Sequence, residues 1–176
     1  MLPIYQSKPD LPKAIVFWTN AILDHPGFLP NLDWSAVWSR LAVIFAPWKV
    51  NVCSRNFKPV VFQSRCAQCF VSWASDYELP TPTDTAGAAK ERDFLRQDDF
   101  TIRPARVWVS EIPAELRSWT VIADVIAHEI AHLAGCSHES DIRSVMNERI
   151  IPRSAENIPV FGELNRLVLD HAFGRA

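Results

Sequence analysis

The sequence predicts one domain that mixes strand and helix, of α/β or α+β class, and three observations predict it. Segments rich in β-branched and aromatic residues, with the look of strands, crowd the first half of the chain. Apolar residues recur at helical spacing in "NLDWSAVWSRLAVIFAPW", and "VIADVIAHEIAHLA" and "FGELNRLVLDHAF" read as two further helices. The resulting order, strand, helix, several strands, helix, loop, helix, suits a sheet covered by helices. A chain of 176 residues is long enough to bury one sizeable core.

The elements follow in order. Residues 1–13 form an N-terminal segment, and the domain proper is expected over 14–176. "KAIVFWTNAI" opens it as a strand. Asp33 caps a helix whose apolar positions Trp34, Val37, Trp38, Leu41 and Phe45 recur on one side, and Pro47 stops it. "KVNVCS", "KPVVFQS" and "CFVSWAS" read as three further strands. "ELPTPTDTAGAAKERDFLRQDD", with its prolines, glycine and charges, reads as a long surface loop holding at most one short helix. "ARVWVSEI", residues 105–112, alternates as a strand and ends at Pro113; it is either a core strand or the sheet edge. A helix starting at Ser118 or Thr120 runs through "VIADVIAHEIAHLA" to Gly135. A loop to Pro159 and an amphipathic helix in "FGELNRLVLDHAF" complete the chain.

Composition excludes several classes. A net charge of −2 supplies no electrostatic drive toward nucleic acid or an anionic membrane. The longest apolar runs, "LAVIFAPW" and "VIADVIAH", are broken by Pro47 and Asp124, well short of a membrane span. No basic segment followed by an apolar run marks a signal peptide, so the expected location is cytoplasmic, with non-classical export or a trimmed leader as alternatives. The seven tryptophans are expected in the core. Of the four cysteines, Cys66 and Cys69 form a C-x-x-C pair, half of a structural zinc site whose remainder would have to come from distant Cys53 and Cys136. Buried free thiols are the simpler expectation.

Chemistry concentrates in "HEIAHLAGCSH", residues 128–138, which holds three of the five histidines. On a helix, His128 and His132 lie one turn apart on one face and can bind one ion together. Glu129 sits beside the first, within reach of a water on that ion. Gly135 can end the helix in a left-handed turn that brings His138 back as a third ligand. Three protein ligands leave zinc an open fourth position, the mark of a catalytic site. Val121, Ile122, Val125, Ile126, Ile130 and Leu133 make the helix apolar nearly all round, so it is expected to be buried. His25 and His171 read as ordinary histidines.

The pattern H-E-x-x-H-x-x-G-x-x-H, with Met146 of "SVM" eight residues after His138, resembles the metzincin clan of zinc endopeptidases, in its matrixin-like form. The resemblance implies an α+β catalytic domain: a mixed twisted sheet, a zinc-binding active-site helix, a Met-turn and a C-terminal helix. It implies Zn2+ held by His128, His132 and His138, with Glu129 as general base and acid and Met146 as the apolar floor beneath the metal. It also implies a protein or peptide substrate, and a monomer is expected.

Some positions depart from the clan's branches. Glu148 stands where some metzincins carry a tyrosine two residues after the methionine. Glu139 follows His138 as in the astacin-like branch, where it pairs with a buried N-terminus; a solvated surface glutamate is the other reading. Neither a cysteine-switch motif nor an obvious calcium loop is present in the sequence. Asp10 is either a zinc-capping aspartate of a short pro-segment or a plain surface residue. Two other functions share the metal motif: a zinc-binding interaction module without turnover, and a zinc hydrolase of a non-peptide amide.

Overall fold

The computed structural model describes residues 14–18, 32–48, 50–55, 66–72, 87–88 and 105–176. Asp10, His25 and the strand expected at 58–64 lie outside these residues.

Five strands form a mixed sheet: β1 (Ala14–Trp18), β2 (Asn51–Arg55), β3 (Cys66–Ser72), β4 (Gly87–Ala88) and β5 (Ala105–Trp108). Their order is β2-β1-β3-β5-β4. All neighbours are parallel except β4, which runs antiparallel to β5 with Gly87 opposite Val107 and Ala88 opposite Arg106. Parallel neighbours need a crossover, and α1 (Trp34–Ile44) provides the one between β1 and β2.

Asp33 caps α1 by accepting from the Ala36 amide at 3.0 Å. Val37, Leu41 and Ile44 are its buried stripe, and Phe45 and Trp48 continue the buried surface past its end. These two rings pack with Phe161 and Phe173 at centroid separations of 5.5–6.2 Å, tilted or edge to face. That cluster joins the exit of α1 to the C-terminal helix α3 (Glu163–Phe173). The long central helix, α2 (Trp119–Ala134), packs on α1 and across β3, β4 and β5. Its Val121, Ile122, Ile126, Ile130 and Leu133 are buried with Ala67, Cys69 and Val71 of β3 and Ala105 and Val107 of β5 in one core. Truncating one such large side chain to alanine costs about 2–5 kcal/mol. Among the described residues, no helix is long and apolar enough to cross a membrane.

Four expectations need correction. Residues 105–112 are not one strand: β5 stops at Trp108 and the chain tightens into a 3-10 turn over Val109–Glu111 before Pro113. Nor is this segment the sheet edge, because β4 covers it. The expected surface loop at 78–99 contributes that covering strand, while the strand expected at 69–75 begins earlier, at Cys66. Alternation carried the expectation for 105–112, and alternation alone cannot tell an extended strand end from a following 3-10 turn.

A buried ionic cluster pins the loop between α2 and α3. Asp124 of α2 accepts from Arg40 Nε at 2.7 Å and from Arg153 at 3.0 Å. The surplus positive charge is spread over backbone carbonyls: Arg40 donates to Ala155 and Asn157, and Arg153 to Ile142 and Ser144.

Candidate metal centre

Ser118 caps α2 through the Val121 amide at 3.3 Å, so the expected start holds. At the other end Gly135 has φ 98°, a left-handed conformation that glycine adopts without a Cβ clash. Its amide donates to His132 O and the Cys136 amide to Ala131 O, the paired bonds of a Schellman ending. The chain reverses there and returns His138 toward the helix. Asn165 of α3 holds the returning strand from outside: its side chain accepts from the Ser137 amide at 3.0 Å and donates to the Ser137 carbonyl at 2.8 Å.

The three histidines converge. His128 and His132 Nε2 are 3.0 Å apart, His132 and His138 3.1 Å, and His128 and His138 3.3 Å. Their other nitrogens explain what these distances mean. His128 Nδ1 lies 2.9 Å from the Val145 carbonyl, and His132 Nδ1 2.9 Å from the Cys136 carbonyl. A carbonyl only accepts, so both Nδ1 atoms carry the proton and both Nε2 atoms point bare lone pairs at one spot. Lone pairs so close repel unless a cation lies between them. A tetrahedral ion with bonds of about 2.0–2.1 Å needs nitrogens about 3.3 Å apart. The donor set fits a metal ion, and these three residues are positioned to bind one. Burial pushes His128 down to about 4, with the neighbouring imidazoles pushing the same way and the Val145 bond opposing, so the ring is held neutral as a ligand must be.

Glu129 is buried, only 5% exposed, and loss of solvation raises its carboxyl to about 8. Met146 is fully buried, on a loop tied to the residue after His138 by the bond from the Glu139 amide to the Met146 carbonyl, 2.8 Å. Glu139 itself is half-buried and braces this loop. Its carboxylate accepts from the Ser144 hydroxyl and from the Gly162 amide at the start of α3. Ser144 Oγ in turn accepts from the Met146 amide at 2.9 Å. Glu148 is exposed and brings Oε1 to 3.4 Å from His138 Nδ1. Cys136 is buried away from the cluster, its thiol directed at the Asn165 carbonyl, and burial followed by the Glu139 charge pushes it up to about 12. Cys69 is fully buried as well. His171 lies exposed on α3.

Several supporting groups were not visible in the sequence. The Val145 and Cys136 acceptors are backbone atoms and leave no residue signature. Asn165 did leave one, a polar residue on the buried side of an otherwise amphipathic helix.

No protein-family model matches the chain, and no curated protein matches it. Solved structures do. A zinc-dependent peptidase from Methanocorpusculum labreanum superposes with a TM-score of 0.54 at 16% identity, over 89% of this chain and 99% of that one. Archaemetzincin from Methanopyrus kandleri superposes with a TM-score of 0.53 at 14% identity, over 94% of this chain and 97% of that one. At such identities the likeness is one of fold, and the chain shares the fold of these two proteins.

Proposed function

We propose that the chain is a zinc-dependent endopeptidase of the metzincin type, in its matrixin-like form with a mixed twisted sheet. His128, His132 and His138 hold the metal, Glu129 moves the proton, and Met146 on its Met-turn is the floor of the site. The observation that carries this reading is the convergence of three imidazole nitrogens within 3.0–3.3 Å beside a buried glutamate. The fold shared with a zinc-dependent peptidase and an archaemetzincin supports it.

When bound, zinc supplies Lewis acidity, bringing the pKa of a water toward about 7 and polarising an amide carbonyl. The rest falls to the chain. Val145 and Cys136 hold His128 and His132 in the tautomer that offers Nε2. Glu129 accepts a proton at its carboxylate as water attacks, and returns it to the leaving amine. Among the described residues β4 is the outermost strand on this side of the sheet, and an extended peptide would align along it.

The test combines metal content and turnover. Purified protein should hold about one zinc per chain and cleave an unfolded protein; chelation should abolish cleavage and zinc restore it. Glu129→Ala should keep the metal and lose about two to four orders of magnitude in rate. A zinc-loaded wild type that cuts nothing in a broad peptide library, even after removal of the segment through Asp10, would leave a zinc-binding interaction module as the better account. Turnover of simple amides without peptide cleavage would instead indicate a hydrolase of non-peptide amides.

A further inference from the structure

Gly87 opens the two-residue strand β4 and is buried. Its Cα lies directly against the side chain of Glu129. A Cβ placed on Gly87 would come 2.5 Å from Glu129 Oε1 and 2.7 Å from both Cδ and Cγ, and these are its three nearest neighbours. Ordinary carbon contacts are about 3.5–4.0 Å, so no methyl fits while Glu129 stays where it is. Nothing about the local backbone otherwise demands glycine: the residue is paired in a regular antiparallel ladder opposite Val107.

We infer that Gly87 is a positioning residue for Glu129: its missing side chain is the slot in which the carboxylate of the general base lies. The inference rests on the function proposed above for the same site. Its force comes from what must yield. The three closest atoms all belong to one flexible side chain, so an added methyl relaxes most cheaply by swinging Glu129 aside, leaving the ladder with β5 and the three histidines in place. The reacting carboxylate is then displaced by about an ångström. Misplacements of that size cost about 100-fold in rate.

The experiment is a double-mutant cycle on the full chain, using Gly87→Ala, Glu129→Ala and the pair, read in two ways. In zinc-loaded protein, Gly87→Ala should retain one zinc per chain and nearly unchanged KM, and lose about 100-fold in kcat. In the Glu129→Ala background the same substitution should cost no further activity, because the group it displaces is gone. In metal-free protein, the thermal midpoint should drop by about 2–4 °C when Gly87→Ala is made in the wild type, and not when it is made in Glu129→Ala. A Gly87→Ala protein that fails to fold, beside a double variant that folds, supports the inference equally. Unchanged kcat overturns it. So does an equal penalty in both backgrounds, which would place the clash with the strand or its substrate, and so does failure of both variants to fold. The stability cycle needs no turnover, so it reads the Gly87–Glu129 contact even if the zinc-loaded wild type proves inert and the peptidase reading fails.

Discussion

Asp124 and Arg153 meet at 3.0 Å inside the protein, one on the central helix and one on the loop that follows the third histidine. Four residues after Asp124 the same helix presents His128, whose Nδ1 bonds the Val145 carbonyl, and Arg153 holds the carbonyl of Ser144 just before it at 3.0 Å. The ion pair therefore anchors the loop that orients the His128 ring. Asp124→Asn should destabilise the domain by about 3–5 kcal/mol, since two buried guanidinium groups lose their counter-charge. A urea midpoint equal to the wild type's would contradict this.

Arg153→Ala spares the Arg40–Asp124 bond but removes the guanidinium bonds to the Ser144 and Ile142 carbonyls. The expected result is a zinc affinity reduced about 10-fold, with the fold retained. Competition against a chromogenic chelator measures it.

His132 is the best-held of the three histidines, with Nδ1 on the Cys136 carbonyl and little solvent contact. His132→Ala should leave the purified protein essentially free of zinc. Equal metal content in variant and wild type, by elemental analysis, would remove His132 from the ligand set.

Cys136 lies two residues before His138, yet its thiol faces the Asn165 carbonyl in the core. Cys136→Ser should keep both metal and activity, and in the native protein the thiol should resist alkylation until denaturant is added. Loss of zinc from the serine variant would make Cys136 a ligand and the site a closed one.

Gly162 leaves room for the Glu139 carboxylate, and a Cβ there would collide with it. Glu139 cannot swing away freely, because it holds the Gly162 amide and the Ser144 hydroxyl together. Gly162→Ala should cost about 1–3 kcal/mol and loosen the start of the last helix. Thermal unfolding tests this; a midpoint unchanged from wild type would mean the clamp yields without cost.

The histidine cluster was legible because its spacing is local: a helical turn, a helix-ending glycine and a short return bring His128, His132 and His138 together with little help from the rest of the chain. The caps at Asp33 and Ser118 were legible for the same reason. Strand order was not. Whether residues 105–108 lie inside the sheet or at its edge depends on β4, contributed by a segment whose prolines and charges carry no strand pattern. Glu139 shows the limit at a single residue: sequence offered an N-terminal partner or solvent, whereas its observed partners, Ser144 and Gly162, come from two later turns that only the folded loop brings near.

Because Gly135 reverses the chain at once, the three histidines occupy one stretch of eleven residues, 128–138. Gathering them requires closing only a short loop, an event of about 10–100 ns, on top of a helix that forms within about a microsecond. Long-range sheet pairing is slower, since it must first overcome the entropy of joining distant segments. An ion captured by this stretch would clip the helix to the turn beyond it before β5 and β3 have docked, making the metal an early participant in folding.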